Sequence, residues 1–310
     1  MPKTNEETFV SFKDFDRFSF PEGIVRVTAG HGGEAILISG SEKTALLDCG
    51  MAYCSSLLIE NLSRELGGRK LDYILVSHTH YDHIGALPFV RKAWPGLKVI
   101  GASYAQKVFS STGAINTIIS LSQNAAGMYA GDPGMQIPAE GFSIDRVVED
   151  GDTVSLGEEE FVVIETKGHT DCSLSFLLNP ENMLFLSEST GVLEAPDKMH
   201  VTILKSYQDT MVSVEKCRNK RAKFLVSPHY GLMPEHFNDT YWELFLSTVD
   251  DYKNFLFELF RQGLQDEEVL TKYEEMRRGG IIKKEQPTEA FIMNARNVIK
   301  VFKKEFEAGQ

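Results

Sequence analysis

The sequence predicts an α/β (α+β) protein with a helical segment at its carboxyl end. Several short apolar runs follow one another from residue 24, separated by turn signals such as residues 30–33 and 40–43. From Ser55 onward, strand-like runs alternate with helical patterns. After His236 apolar and aromatic residues recur at helical spacing instead. These three observations favour a sheet-based body followed by packed helices.

Each element has its own local signal. The helix predicted over residues 55–66 has leucines at helical spacing and ends at a glycine pair, and the helix over 84–94 has Pro88 near its first turn. Further helices are predicted over residues 105–121, 208–218, 267–276 and 289–306, with an aromatic stripe over 242–260. Apolar and β-branched runs predict strands at residues 24–27, 35–38, 44–48, 72–77, 97–100, 146–148, 153–156, 161–165, 174–178, 183–187 and 223–227.

Residues 102–143 interrupt the alternation of strands and helices. The helical pattern over 105–121 is followed by a glycine-rich stretch at 127–135, which is expected to be a loop. Such a segment can form a lid over a binding site, or it can be an ordinary surface excursion, and the sequence leaves both open.

Composition limits the classes of function. The net charge of −12 and pI near 5.2 argue against a nucleic-acid surface, which is usually basic. No run of about 18 apolar residues is present, so no membrane span is expected. The polar start of the chain does not resemble a signal peptide, and four cysteines are few for this length. We therefore expect a cytoplasmic protein that acts on a small molecule.

The densest chemical signal is the hexapeptide at residues 78–83. It contains three histidines and an aspartate directly after the apolar strand at residues 73–76. Ligands bind at the carboxyl ends of strands in open α/β sheets. Imidazole and carboxylate together suit zinc, iron or manganese. The hexapeptide therefore predicts a metal site at a sheet edge.

Three further candidate ligands follow other strands. His169, Glu188 and His229 each come directly after an apolar or β-branched run. Any one of them alone is a weak signal, because a polar residue at a strand end is usually solvated. Their repetition predicts that one edge of a sheet sandwich gathers all of these side chains.

Together these motifs resemble the metallo-β-lactamase-fold hydrolase superfamily. The resemblance rests on His-x-His-x-Asp-His at 78–83, Gly-His-Thr at 168–170, a strand-end carboxylate and Pro-His at 228–229, and it covers roughly residues 18–232. It implies a four-layer αββα sandwich with two divalent metal ions, zinc or iron or manganese, at one edge. It also implies a catalytic domain over residues 1–235, with 102–143 as a lid-like insertion, and a helical extension over 236–310.

The resemblance assigns the ligands residue by residue. His78, His80 and His169 correspond to the first metal site, and Asp82, His83 and His229 correspond to the second. Glu188 stands where the family usually has a bridging aspartate. The longer side chain leaves three alternatives open: the metals shift, the bridge becomes monodentate, or the second site weakens. Asp48 resembles an early strand-end aspartate that orients a ligand.

The implied activity is hydrolysis by a metal-bound hydroxide. The substrate would be a small ester, thioester, lactone or phosphoester, and Asp82 could accept the proton of the water. An alternative is a regulatory or binding protein that retains a structural metal site and acts through its helical extension. The aromatic stripe after His236 also leaves a homodimer through these helices open.

Overall fold

The computed structural model of the chain describes residues 20–195, 197–233 and 237–309. The predicted domain boundary between residues 235 and 236 lies outside these ranges, as does the start of the predicted catalytic domain. No helix within them is long and apolar enough to cross a membrane.

The first sheet has six strands in sequence order. Its amino-terminal strands pair antiparallel, and the pairs from the third to the sixth strand are parallel. Parallel pairing follows where helices connect successive strands, because a crossover is needed to return the chain. The strands are β1 (Ile24–Arg26), β2 (Ile36–Ser39), β3 (Thr44–Leu47), β4 (Tyr73–Leu75), β5 (Lys98–Ala102) and β6 (Arg146–Val148).

The second sheet also has six strands, and a separate hairpin follows its fourth strand in the chain. Its strands are β7 (Thr153–Ser155), β8 (Glu160–Glu165), β9 (Leu174–Asn179), β10 (Met183–Phe185), β13 (Phe224–Ser227) and β14 (Gly231–Leu232). The hairpin consists of β11 (Val192–Ala195) and β12 (Lys198–His200). Within the sheet the strand order is β14-β13-β10-β9-β8-β7, and β10 pairs with β13 in parallel.

Ten α-helices are formed by the described residues. They are α1 (Ser55–Leu66), α2 (Tyr81–Ile84), α3 (Leu87–Ala93), α4 (Ser103–Phe109), α5 (Thr112–Ala130), α6 (Tyr207–Asn219), α7 (Asn238–Arg261), α8 (Asp266–Arg277), α9 (Gly280–Glu285) and α10 (Thr288–Ala308). The predicted helix over 55–66 is confirmed, with Gly67 in the left-handed conformation at its end.

Two hydrophobic cores show the layers of the sandwich. Met183 and Phe185 of β10 belong to the core shared with the first sheet, whereas Leu184 belongs to the core shared with Val214 of α6 and Phe245 of α7. This alternation is the period of a strand whose two faces are both buried. The C-terminal helices therefore pack on the outer face of the second sheet. The predicted four-layer αββα sandwich is confirmed.

The structure differs from the sequence expectations in several elements. The helix expected over 84–94 is shorter, since α3 begins at Leu87 and Ile84 ends the separate helix α2. Gly85 between them packs closely, because a Cβ there would lie 2.7 Å from Ala52 N. Residues 127–130, expected to be loop, form the last turn of α5. The sequence does not predict the hairpin β11–β12, and residues 237–309 form four helices rather than about three.

Candidate metal centre

All seven predicted ligands lie together at one edge of the two sheets. His78 and His80 follow β4, while His169 follows β8; their ligand atoms form one group. The second group contains Asp82, His83, Glu188 and His229. Within each group the ligand atoms lie within 4.8 Å of one another.

Hydrogen bonds fix the tautomers of two histidines in these groups. His83 Nδ1 lies 2.8 Å from Asp48 Oδ2, which is an acceptor, so this nitrogen carries the proton. The Ser77 hydroxyl donates to the same carboxylate at 2.6 Å and so can accept from His78 Nδ1 at 3.0 Å. In both rings the proton is on Nδ1. The Nε2 lone pairs are therefore free to bind a cation.

His169 is a third histidine whose tautomer is fixed by a hydrogen bond at Nδ1. Its Nδ1 donates to the backbone oxygen of Thr202 at 2.8 Å, and its own backbone N–H donates to Ser189 Oγ at 3.0 Å. Its Nε2 then faces His80 Nδ1 at 3.0 Å. Two imidazole lone pairs at this distance repel each other unless a proton or a cation lies between them.

An unsatisfied atom supports the same conclusion. His78 Nε2 is buried without a hydrogen-bond partner among the described residues, and the nearest oxygen recorded for it is Glu188 Oε1 at 3.8 Å. A buried polar atom without a partner is costly and needs an explanation. A cation held by His78, His80 and His169 supplies the missing partner. The residues present therefore fit a metal ion.

Glu188 lies between the two groups. Its Oε1 lies 2.8 Å from His83 Nε2 and 3.0 Å from His229 Nε2, while Oε2 lies 3.3 Å from His169 Nε2. The Thr202 hydroxyl is 3.4 Å from Oε2. The additional methylene is thus accommodated in a position from which the carboxylate reaches both groups.

The electrostatics of the site differ between the two groups. Burial lowers the pKa of His80 to about 3, and His169 adds to this shift. Burial also acts to lower the pKa of His83, but Asp82, Asp48 and Glu188 outweigh it and raise that pKa well above its usual value. The carboxylates of the second group therefore favour positive charge at this position, as expected where a cation binds.

Local backbone geometry brings these side chains into place. Asp48 and His229 have positive φ angles of 50° and 59°, a strained conformation that is common at functional sites. Gly33 allows close approach, because a Cβ there would lie 2.7 Å from the His83 ring.

A cavity of about 430 Å³ opens onto the centre. Asp82, Glu188, His80 and His229 form its floor. The segment 102–143, for which the sequence left a lid or a surface excursion open, supplies part of the wall from α4 and α5. The apolar wall residues include Val108, Ile118, Leu121, Val192, Leu193 and Met293.

Other residues noted in the sequence have varied positions. Tyr81 and Cys172 are buried and line the cavity, whereas Tyr230 packs with the second core. His31 binds Glu285 at 2.7 Å and stacks on Tyr129 with ring centroids 4.4 Å apart, so it is not among the grouped ligands.

Sequence reasoning missed three residues that shape the site. Ser77 had a usable signal, since it is a polar residue at a strand end directly before His78. Thr202 and His200 had none, because His200 ends a hairpin that the sequence does not predict and Thr202 follows that hairpin.

Fold and site together define an αββα sandwich protein with two neighbouring metal-type ligand groups at one sheet edge. The sequence model of the metallo-beta-lactamase superfamily matches residues 29–229, and the chain belongs to that superfamily. This membership confirms the expected family.

Individual relatives are more distant. A hydroxyacylglutathione hydrolase of Prochlorococcus marinus (strain MIT 9312) is 29% identical over 117 residues, which cover 37% of this chain and 35% of that protein. A metallo-beta-lactamase fold-containing protein of Sulfurisphaera tokodaii is 28% identical over 178 residues, covering 54% of this chain and 65% of that protein. The match thus spans about a third of the first relative and less than two thirds of the second.

Solved structures extend the likeness in fold. A metallo-beta-lactamase family protein from Thermus thermophilus matches with a TM-score of 0.66 and 16% identity, covering 94% of this chain and 95% of that one. An archaeal superfamily protein from Sulfolobus tokodaii matches with a TM-score of 0.56 and 21% identity, covering 72% and 86%. The first likeness extends over most of the C-terminal helices as well as the sandwich.

Proposed function

We propose that this protein is a metal-dependent hydrolase of carboxylic esters or thioesters that carry an apolar acyl group. The observation that carries the proposal is the convergence of seven ligand-type side chains, with three imidazole tautomers fixed so that their Nε2 lone pairs face the site. Two divalent cations, when bound there, would polarise the bond under attack and make a water molecule more acidic.

The chain's own residues position the reactants around this centre. Asp82 faces the cavity, with Oδ2 at 3.5 Å from His229 Nε2, so its carboxylate is placed to accept a proton from the attacking water. Tyr81 also lines the cavity, and burial raises its pKa well above the usual value. Its phenol therefore stays protonated, as a donor to developing negative charge must be.

The cavity wall favours a neutral acyl substrate over a phosphoester. Among the described lining residues, Lys205 is the one lysine or arginine, and it pairs with Asp171 at 3.7 Å. Glu194 and Glu285 also line the cavity. Such a wall offers little to neutralise a phosphate away from the metals, whereas its apolar residues suit a hydrocarbon group. The hydroxyacylglutathione hydrolases among the relatives support the inclusion of thioesters.

The experiment compares metal-stripped protein with protein reloaded with zinc, manganese or iron. The substrates are p-nitrophenyl butyrate, the butyryl thioester of glutathione and bis-p-nitrophenyl phosphate. We expect turnover of the acyl substrates that depends on metal and is abolished by His80→Ala.

A matched control is His31→Asn, which changes a histidine outside both ligand groups and should retain metal. Metal-loaded, folded protein that hydrolyses none of the acyl substrates would instead support a binding or regulatory role. Preference for the phosphodiester would refute the acyl assignment.

A further inference from the structure

A second polar network lies in the cavity wall, apart from the metal-type ligands. Arg277 of α8 donates to Glu194 Oε1 of β11 at 2.9 Å and to His200 Nδ1 of β12 at 3.0 Å. The Tyr252 hydroxyl of α7 is also 2.9 Å from His200 Nδ1. Lys198 pairs with the other oxygen of Glu194 at 2.5 Å. The network thus joins the hairpin to two C-terminal helices.

This network assigns the tautomer of His200. A guanidinium can donate hydrogen bonds but cannot accept them, so Nδ1 must present its lone pair to Arg277. The proton of the neutral ring is then on Nε2. Burial, followed by the charge of Arg277, lowers the pKa of His200 well below its usual value, which keeps the ring neutral.

The position of the His200 ring determines where its Nε2 proton points. His200 lines the cavity, while its Nδ1 edge is taken by Arg277 and Tyr252. Among the described residues Nε2 makes no hydrogen bond. It also retains some exposure, because it is absent from the fully buried polar atoms that lack a partner. The ring edge that carries Nε2 is therefore the one left to face the cavity.

The rest of the network keeps the ring in place. The Arg277 guanidinium lies 4.6 Å from the centre of the Tyr252 ring, and both Arg277 and Glu194 are largely buried. A histidine whose tautomer is fixed by two buried partners loses little freedom when it binds a ligand.

We propose that His200 binds the acyl substrate, by donating its Nε2–H to an acceptor oxygen of that substrate. Arg277 and Glu194 act through His200, so they are positioning residues. The inference rests on the proposed acyl hydrolase function. It adds a hydrogen-bond donor to a cavity wall whose apolar residues suit the hydrocarbon part of the substrate.

Two substitutions separate this role from a structural one. In His200→Asn the side-chain oxygen can take the place of Nδ1 and keep the bonds from Arg277 and Tyr252, but nothing reaches the position of Nε2. In His200→Gln the longer amide can place an N–H near that position. A group that only holds the hairpin in place would tolerate Asn at least as well as Gln.

The measurement is hydrolysis of p-nitrophenyl butyrate by metal-loaded protein. We expect kcat/KM to fall about tenfold to a hundredfold in His200→Asn, the usual range for one lost hydrogen bond in a binding site, and to recover largely in His200→Gln. Metal content and thermal stability of His200→Asn should match those of the wild type. Equal kcat/KM in the wild type and His200→Asn, or better activity in Asn than in Gln, would overturn the proposal.

Two readouts do not depend on turnover. Two-bond ¹H–¹⁵N correlation spectra report the tautomer of His200, and a proton on Nδ1 would refute the assignment. Titration with butyrate, followed by NMR, should show weaker binding to His200→Asn than to the wild type and His200→Gln. If the wild type hydrolyses no ester, the proposed hydrolase function is refuted. Equal butyrate binding by all three proteins would refute the role of His200, whatever the outcome for hydrolysis.

Discussion

Replacing Asp48 with asparagine would test how the protein prepares His83 to bind a metal. In the structure Asp48 Oδ2 accepts from His83 Nδ1 at 2.8 Å and from the Ser77 hydroxyl at 2.6 Å, while Oδ1 accepts from Ser77 N–H at 2.8 Å. Asparagine keeps the shape and tolerates the positive φ of 50° at this position. It retains one acceptor oxygen but replaces the other with an N–H₂ donor.

The expected consequence is a change of tautomer. An amide N–H facing His83 Nδ1 favours the ring form whose lone pair is on Nδ1, and the proton then moves to Nε2. That proton can bond Glu188 Oε1, which lies 2.8 Å away, so the metal-free fold should survive. A metal ion must displace the proton, however. We expect affinity at the second site to fall about tenfold to a hundredfold, as for other losses of a ligand-orienting group, which is about 1.4–2.8 kcal/mol.

The assay is titration of the metal-stripped variant with Zn²⁺, with stoichiometry checked by elemental analysis. We expect one tight and one weakened site, with metal-free thermal unfolding close to that of the wild type. Asp145→Asn is a matched control, because Asp145 pairs with Arg91 at 2.6 Å away from both ligand groups. Two sites of wild-type affinity in Asp48→Asn would refute the reasoning.

Three further results are expected. Glu188→Asp withdraws a carboxylate that lies 3.0 Å from His229 Nε2, so the zinc affinity of the second site should fall about tenfold. Competition with a chelator measures this affinity, and equal or tighter binding would contradict the expectation. Ile118→Trp fills part of the cavity, so the KM for p-nitrophenyl butyrate should rise about tenfold while the metal content stays the same. A KM equal to that of the wild type would argue against binding of the acyl group in this cavity. In metal-free protein the His80 ring should remain neutral at pH 5 by NMR, because its folded-state pKa is about 3. The unfolded chain takes up a proton there below its ordinary value of about 6.5, so the folded state loses stability progressively as the pH falls from that value towards about 3.

The sequence predicts much of the fold because local signals and long-range packing agree in it. The strands after Gly33, the helix ending at Gly67 and the placement of ligand-type side chains after four separate strands each follow a short-range pattern that the structure confirms. The gathering of the ligands at one edge follows from strand direction. This gathering could therefore be predicted from the sequence.

The parts that were missed depend on packing contacts that the local pattern of residue types does not show. The strands β11 and β12 are short, and β11 contains a glutamate whose burial depends on Arg277, which is 83 residues away along the chain. Residues 127–130 read as loop because of their glycine, yet Gly127 packs where a Cβ would approach Pro133 Cβ at 3.2 Å. No local pattern encodes either contact.

The most direct test of the whole account is a crystal structure of the metal-loaded protein with anomalous scattering data. We expect two metal peaks, one bound by His78, His80 and His169 and the other by Asp82, His83 and His229. Glu188 should contact both metals. A single peak, with the Glu188 carboxylate turned away from it, would contradict the central claim that this edge of the sandwich builds a two-metal centre.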